Sequence, residues 1–108
     1  GLRIREFIEE NYGNVNLGVN EIGAHFQLSP SYCSKIFRQE TNQGIPEAIC
    51  AVRINHACHQ LTDSQNSLEQ IADNCGFSSS TVFIRSFKKL CGVTPGSYRK
   101  LMQDAKKK

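Results

Sequence analysis

Ser31, Ser34, Lys35 and Arg38 stand at i, i+3, i+4 and i+7, a spacing that sets two hydroxyls and two cations on one face of a helix. Thr81, Ile84, Arg85 and Lys88 repeat that spacing later in the chain. Side chains of these types suit the edges of paired bases. The planar fork of Arg85 matches the O6 and N7 acceptors of guanine, whereas Lys35 supplies a flexible point charge. Ile84 and the Thr81 methyl suit the methyl group of thymine. Arg38, Lys88, Lys89, Arg99 and Lys100 are better placed for phosphate, because most lie toward helix ends or beyond the second unit. The helix N-termini opened by Ser29, Ser67 and Thr94 add backbone amides of the kind that bind phosphate oxygens.

Positioning such faces requires a bracing helix before each, and the chain contains two. Ile71-Ala72-Asp73-Asn74-Cys75-Gly76-Phe77 leads into Ser79 to Lys89, and Ile22-Gly23-Ala24-His25-Phe26-Gln27-Leu28 leads into Ser29 to Arg38. Each reads as a short helix, a tight turn and a second helix that is apolar on one side and basic on the other. The two segments align residue by residue. Ile22 falls on Ile71, Gly23 on Ala72, Leu28 on Phe77, Ser31 on Thr81, Lys35 on Arg85 and Phe37 on Phe87, with one extra residue in the second turn. Small residues at 23 and 72 suit a close helix crossing, and Gly76 suits a turn. Cys33, Ile36 and Phe37 are expected inward on the first recognition helix, and Phe83, Phe87 and Leu90 on the second.

The remaining pattern predicts an all-α chain of about seven helices and no strand. A first helix over Leu2 to Tyr12 carries Ile4, Phe7 and Ile8 at helical spacing, and Gly13 stops it. Ser29-Pro30 reads as N-cap and N1 of the first recognition helix, which Asn42-Gln43-Gly44 ends. A long helix follows over Pro46 to Leu61, then a polar loop over Thr62 to Asn66. Ser67 with Gln70 is a capping box for the second bracing helix. Gly92 ends the second recognition helix, Thr94-Pro95 opens a last one, and Asp104 to Lys108 reads as a frayed tail. The domain reading is a first helix-turn-helix subdomain over 1–45, a linker helix over 46–61 and a second subdomain over 62–108. Arg53, within the linker helix, is read as structural and paired with a carboxylate.

Composition bounds the function classes. The chain has 108 residues, 39% hydrophobic content and a formal charge of +3, a mildly basic balance compatible with a polyanion. Long apolar runs are missing from the sequence, so a membrane span is not expected. Five cysteines, odd in number and without a tight pairing motif, fit a reducing compartment, and the cytoplasm is the expected location. His56, Cys58, His59 and Cys50 lack the spacing of a zinc site, and most cysteines fall at apolar positions unsuited to a thiol enzyme. The expectation is therefore no metal, no cofactor and no catalytic residue.

Ser67-Leu68-Glu69-Gln70-Ile71-Ala72, Cys75-Gly76-Phe77-Ser78-Ser79, Phe83-Ile84-Arg85-Ser86-Phe87-Lys88-Lys89, Gly92-Val93-Thr94-Pro95 and Tyr98-Arg99 resemble the signature of AraC/XylS-type transcription regulators. Leu28-Ser29-Pro30-Ser31-Tyr32, Phe37, Thr41, Arg53-Ile54 and Ala57 carry the resemblance into the first half, so it covers nearly the whole chain. Asn42, Ala48 and Cys33 depart from the family pattern, which usually has glycine, an aromatic and leucine there. The resemblance implies two homeodomain-like helix-turn-helix subdomains on a long linker helix, usually the C-terminal part of a longer regulator. It implies that Ser31, Ser34, Lys35, Thr81, Ile84 and Arg85 face base edges in successive major grooves of double-stranded DNA. RNA polymerase is a further candidate partner, and dimerisation is expected to reside in a domain outside this fragment. The competing reading is a helical protein-interaction module that binds no DNA.

Overall fold

In the computed structural model, which describes residues 2–106 (side chains from residue 3), seven α-helices follow one another. They are α1 (Leu2–Asn11), α2 (Val19–Phe26), α3 (Pro30–Thr41), α4 (Ile45–Asp63), α5 (Leu68–Asn74), α6 (Ser80–Cys91) and α7 (Pro95–Lys106). The described residues contain no strand. Local chemistry starts these helices where the sequence predicts. Ser29 Oγ accepts the Tyr32 amide, Ser79 Oγ that of Val82 and Thr94 Oγ1 that of Ser97. Ser67 and Gln70 form the reciprocal capping box. α3 and α6 stop on the left-handed residues Asn42 and Gly92, whose amides return to the carbonyls of Arg38 and Lys88.

Apolar residues surround most of α4 because this helix serves two cores. Its first half places Ile45, Ala48 and Ile49 against Ile4, Ile8, Leu17, Ile22, Cys33 and Phe37. Its second half places Ile54, Ala57 and Leu61 against Ile71, Ala72, Cys75, Phe77, Phe83 and Phe87. Phe37, Phe83 and Phe87 are fully buried, and each contributes about 1.5–3 kcal/mol by leaving water. The resulting body is elongated, 48 × 23 × 20 Å. None of the described helices is long and apolar enough to cross a membrane.

Four expectations are corrected. The long helix begins one residue earlier and runs through Asp63, so Thr62 and Asp63 are helical. Its terminal carbonyls are satisfied from α7: Arg99 donates to Leu61 O (3.1 Å) and Ser64 O (3.4 Å), and Lys106 Nζ to Thr62 O (3.1 Å). Lys106 also pairs with Asp63 (3.0 Å), so residues 104–106 are helix and not frayed tail, while Lys107 and Lys108 lie outside the described residues. Leu90 is 53% exposed, contrary to its expected inward position. The buried stripe of α6 runs through Phe83 and Phe87, and Leu90 falls at its edge, over an open groove shared with Pro46, Cys50 and Ser86. Finally, Arg53 holds carbonyls and not a carboxylate. Its Nε donates to Tyr12 O (2.9 Å) and its Nη2 to Asn14 O (2.9 Å).

That last contact joins the two halves. The chain leaving α1 lies on the α5–α6 turn, where a Cβ on Gly13 would stand 3.2 Å from Asn74 O. Tyr12 packs against the second core and stacks on His56, with centroids 3.8 Å apart and planes at 4°. Gln60 ties the 64–67 loop from the other side, accepting from Asn66 and Asn74 while donating to Cys75 Sγ. The loop that follows α4 is thus bound to it at several points.

Candidate nucleic-acid interface

Both turns that orient the exposed faces use the same backbone bonds. Leu28 N donates to Gly23 O (2.8 Å) in the first, and Phe77 N to Ala72 O (2.9 Å) in the second. A left-handed residue follows each bracing helix: Gly76 at φ 88°, as the sequence suggests, and Gln27 at φ 58°, which its residue type conceals. Gly23 is required by its neighbour, since a Cβ there would lie 2.7 Å from Leu28 O. The crossing it permits packs α2 on α3, burying Ile22, Cys33 and Phe37 together.

Burying that stripe leaves the opposite face of α3 to solvent. Ser31, Ser34, Lys35 and Arg38 are all exposed on it. On α6 the equivalent face exposes Thr81, Arg85, Lys88 and Lys89, while Ile84 is half-buried against the second core. Arg38 shares its surroundings with Glu47. A Cβ on Gly44 would collide with the Glu47 carboxylate and stand 2.9 Å from Arg38 Nη2. Lys89 borders the groove with Ser86 and Leu90 between the two halves. Lys100 is exposed, but Arg99 is half-buried with its guanidinium turned to the carbonyls ending α4. The geometry therefore gathers the α3 set and the α6 set separately and draws Arg99 away from both.

Two residues on these faces escape a reading based on polar chemistry. Tyr32 is 52% exposed and Val82 37% exposed, at matched positions in the first turns of α3 and α6. The repeat alignment pairs them, and an apolar side chain held out at both positions is the signal that finds them. No group of three or more His, Cys, Asp or Glu among the described residues is arranged to hold a metal ion. Cys75 is buried, and burial pushes its thiol up to about 11 despite the nearby Arg53 cation.

Residues 22–101 match the family model of a helix-turn-helix domain. The chain is 38% identical over 97 residues to the melibiose operon regulatory protein of Escherichia coli K12. It is 36% identical over 102 residues to the Msm operon regulatory protein of Streptococcus mutans. These alignments take in 90% and 94% of this chain but 32% and 36% of the relatives, so the chain spans about a third of their length. In fold it is similar to the DNA-binding domain of AdpA, a global transcriptional factor solved in complex with a target DNA. The TM-score is 0.90 at 21% identity, covering 96% of this chain and 93% of that one.

Proposed function

We propose that the chain, which belongs to the AraC-type helix-turn-helix family, binds double-stranded DNA sequence-specifically as the output domain of a longer transcription regulator. In this reading α3 and α6 enter successive major grooves on one side of the duplex. Ser31, Ser34 and Lys35 read one box, and Thr81, Ile84 and Arg85 the other. Arg38, Lys88, Lys89 and Lys100 contact phosphate, while Arg99 serves α4. The observation that carries the reading is the matched pair of exposed, cation-bearing helix faces, each opposite a fully buried stripe and each set by the same turn. The family and the relatives are transcriptional regulators, and a chain acting this way is no enzyme. Operation in the cytoplasm, contact with RNA polymerase, and dimerisation through a region outside these residues belong to the same proposal.

Salt dependence tests it. Each lysine or arginine that neutralises a phosphate releases a counterion, so log affinity should fall linearly with log salt, by about 0.9 per phosphate contact. Fluorescence anisotropy with mixed-sequence duplex is expected to give a steep line. A flat line, or no binding at low salt, favours the protein-interaction reading instead.

Substitutions separate reading from anchoring. Arg85→Ala is expected to cost about 1–3 kcal/mol on the specific site and to relax preference at one box, whereas Lys88→Ala should weaken all sequences alike. Both side chains are exposed on α6, so neither change removes core packing. Equal losses on specific and random duplex for the two variants would end the base-reading role of Arg85.

A further inference from the structure

α1 and α4 leave an open groove beside the contact that buries Ile4, Ile8, Ile45 and Ile49. Its volume is about 410 Å³, within the range of pockets that take a ligand or an anchoring side chain. Ala48, Ala51 and Val52 form the floor from α4. They stand at i, i+3 and i+4, on one face of that helix, and two of the three are alanines. Small side chains one turn apart keep the α4 wall low, so the groove stays open between the helices.

The rim comes from α1 and is acidic. Glu6, Glu9 and Glu10 line it, with Arg5 beside them, and all four side chains are exposed. Helix physics disfavours this arrangement. Glu9 and Glu10 sit in the last turn of α1, which holds no basic residue and where the helix dipole favours cations. Glu6 and Glu10 stand at i and i+4, where like charges repel. His56 meets Glu9 at 3.3 Å, while Glu6 and Glu10 face solvent. A cation held against the last two would relieve both the repulsion and the mismatch with the dipole.

We infer that this groove is a docking site for a basic amphipathic helix of a partner protein. The partner inserts one aromatic side chain between α1 and α4 and sets lysines or arginines against Glu6 and Glu10. An aromatic ring suits a low apolar floor, because it buries a large area while few torsions are frozen. Basic residues one turn to either side of the ring reach carboxylates one turn apart on α1, since both helices have the same rise per turn. The same rim repels phosphate, so nucleic acid is not the occupant. None of the residues assigned to base or phosphate contact lines the groove, and the inference therefore does not depend on the DNA-binding reading.

The probe is an end-blocked helical peptide of alanine and lysine with one central tryptophan, titrated with the 108-residue chain. The chain holds no tryptophan, so tryptophan emission reports the peptide alone. A saturable blue shift is expected, with Kd on the order of 10⁻⁴ M, as suits one anchor and two exposed charge pairs. A peptide with glutamate in place of lysine should not bind, and one with alanine in place of tryptophan should not compete. Ala48→Phe puts a ring of the chain's own into the groove and should weaken binding at least about tenfold. Glu6→Gln combined with Glu10→Gln, both at exposed positions, should weaken it about fivefold and reduce its salt dependence. Thermal melts check that both variants fold, and the charge variant keeps the test decisive if Ala48→Phe does not. The inference is overturned if the wild type shows no saturable binding, if a folded variant binds as tightly as the wild type, or if either altered peptide matches the probe. It is also overturned if sedimentation shows the chain pairing with itself and Ala48→Phe abolishes the pairing, which would give the groove to a second copy.

Discussion

Inserting about five base pairs between the two boxes of a specific site is expected to lower affinity on the order of 10²-fold, because the second box turns to the far side of the duplex. The size of the loss follows from stiffness. α4 has 19 residues, or roughly 28 Å at ~1.5 Å per residue, and belongs to both cores. Arg53 holds the carbonyls of Tyr12 and Asn14 against the second turn, and the 64–67 loop is bound to Gln60. The two exposed faces therefore have little freedom to follow a displaced box. Insertion of about ten base pairs restores the face of the duplex but not the distance, so binding should stay poor. Electrophoretic titration of the spacer series measures this directly, and equal affinity across it would reject the rigid two-groove arrangement. Arg53→Ala should flatten the series, since it leaves α1 unpinned from the second half.

Gly76→Ala is expected to cost at least about 3 kcal/mol, and Gly92→Ala only about 1 kcal/mol, although both glycines have left-handed backbone. The shared part is the conformational penalty of an L side chain at positive φ. The difference is space. A Cβ on Gly92 meets nothing within 4 Å, whereas one on Gly76 would collide with the Tyr12 carbonyl and stand 2.9 Å from Arg53 Nε. Relief requires the α1 exit to move away and the Arg53 bond to Tyr12 to lengthen or break, exposing a half-buried carbonyl to loss of its partner. At about 4–8 °C per kcal/mol for a domain of this size, melting should fall by more than ~12 °C for Gly76→Ala and by well under 10 °C for Gly92→Ala. Equal shifts in calorimetry would show that the contact between the halves adds nothing to stability.

How far the chain could be read before its structure was known depends on how far each interaction reaches. Capping by Ser29, Ser67, Ser79 and Thr94 spans three residues, so residue type and spacing suffice to place the starts of four helices. The repeat is visible because the same buried positions recur: Ile22 with Ile71, Phe37 with Phe87. A helix face follows from spacing alone once its buried side is known, which is why Ser31, Ser34, Lys35, Thr81 and Arg85 are found exposed. Ile84 is the intermediate case, on the right face yet partly taken up by the second core. An arginine on an apolar helix announces only that it needs acceptors. Arg53 finds them 41 and 39 residues away and Arg99 finds them 38 and 35 away, so neither partner has a local signature.

Sequence by itself thus determined the all-α class, the duplicated helix-turn-helix, the capped helix starts and the polarity of both exposed faces, since all of these follow from near-neighbour chemistry and helical periodicity. Tertiary structure alone decided that α4 extends to Asp63, that Leu90 lies open, that Gln27 takes a left-handed turn, and that Gly76 has no room for a side chain. Each of these depends on what a distant segment places against the residue, and packing of whole helices, not spacing along one of them, sets that neighbour.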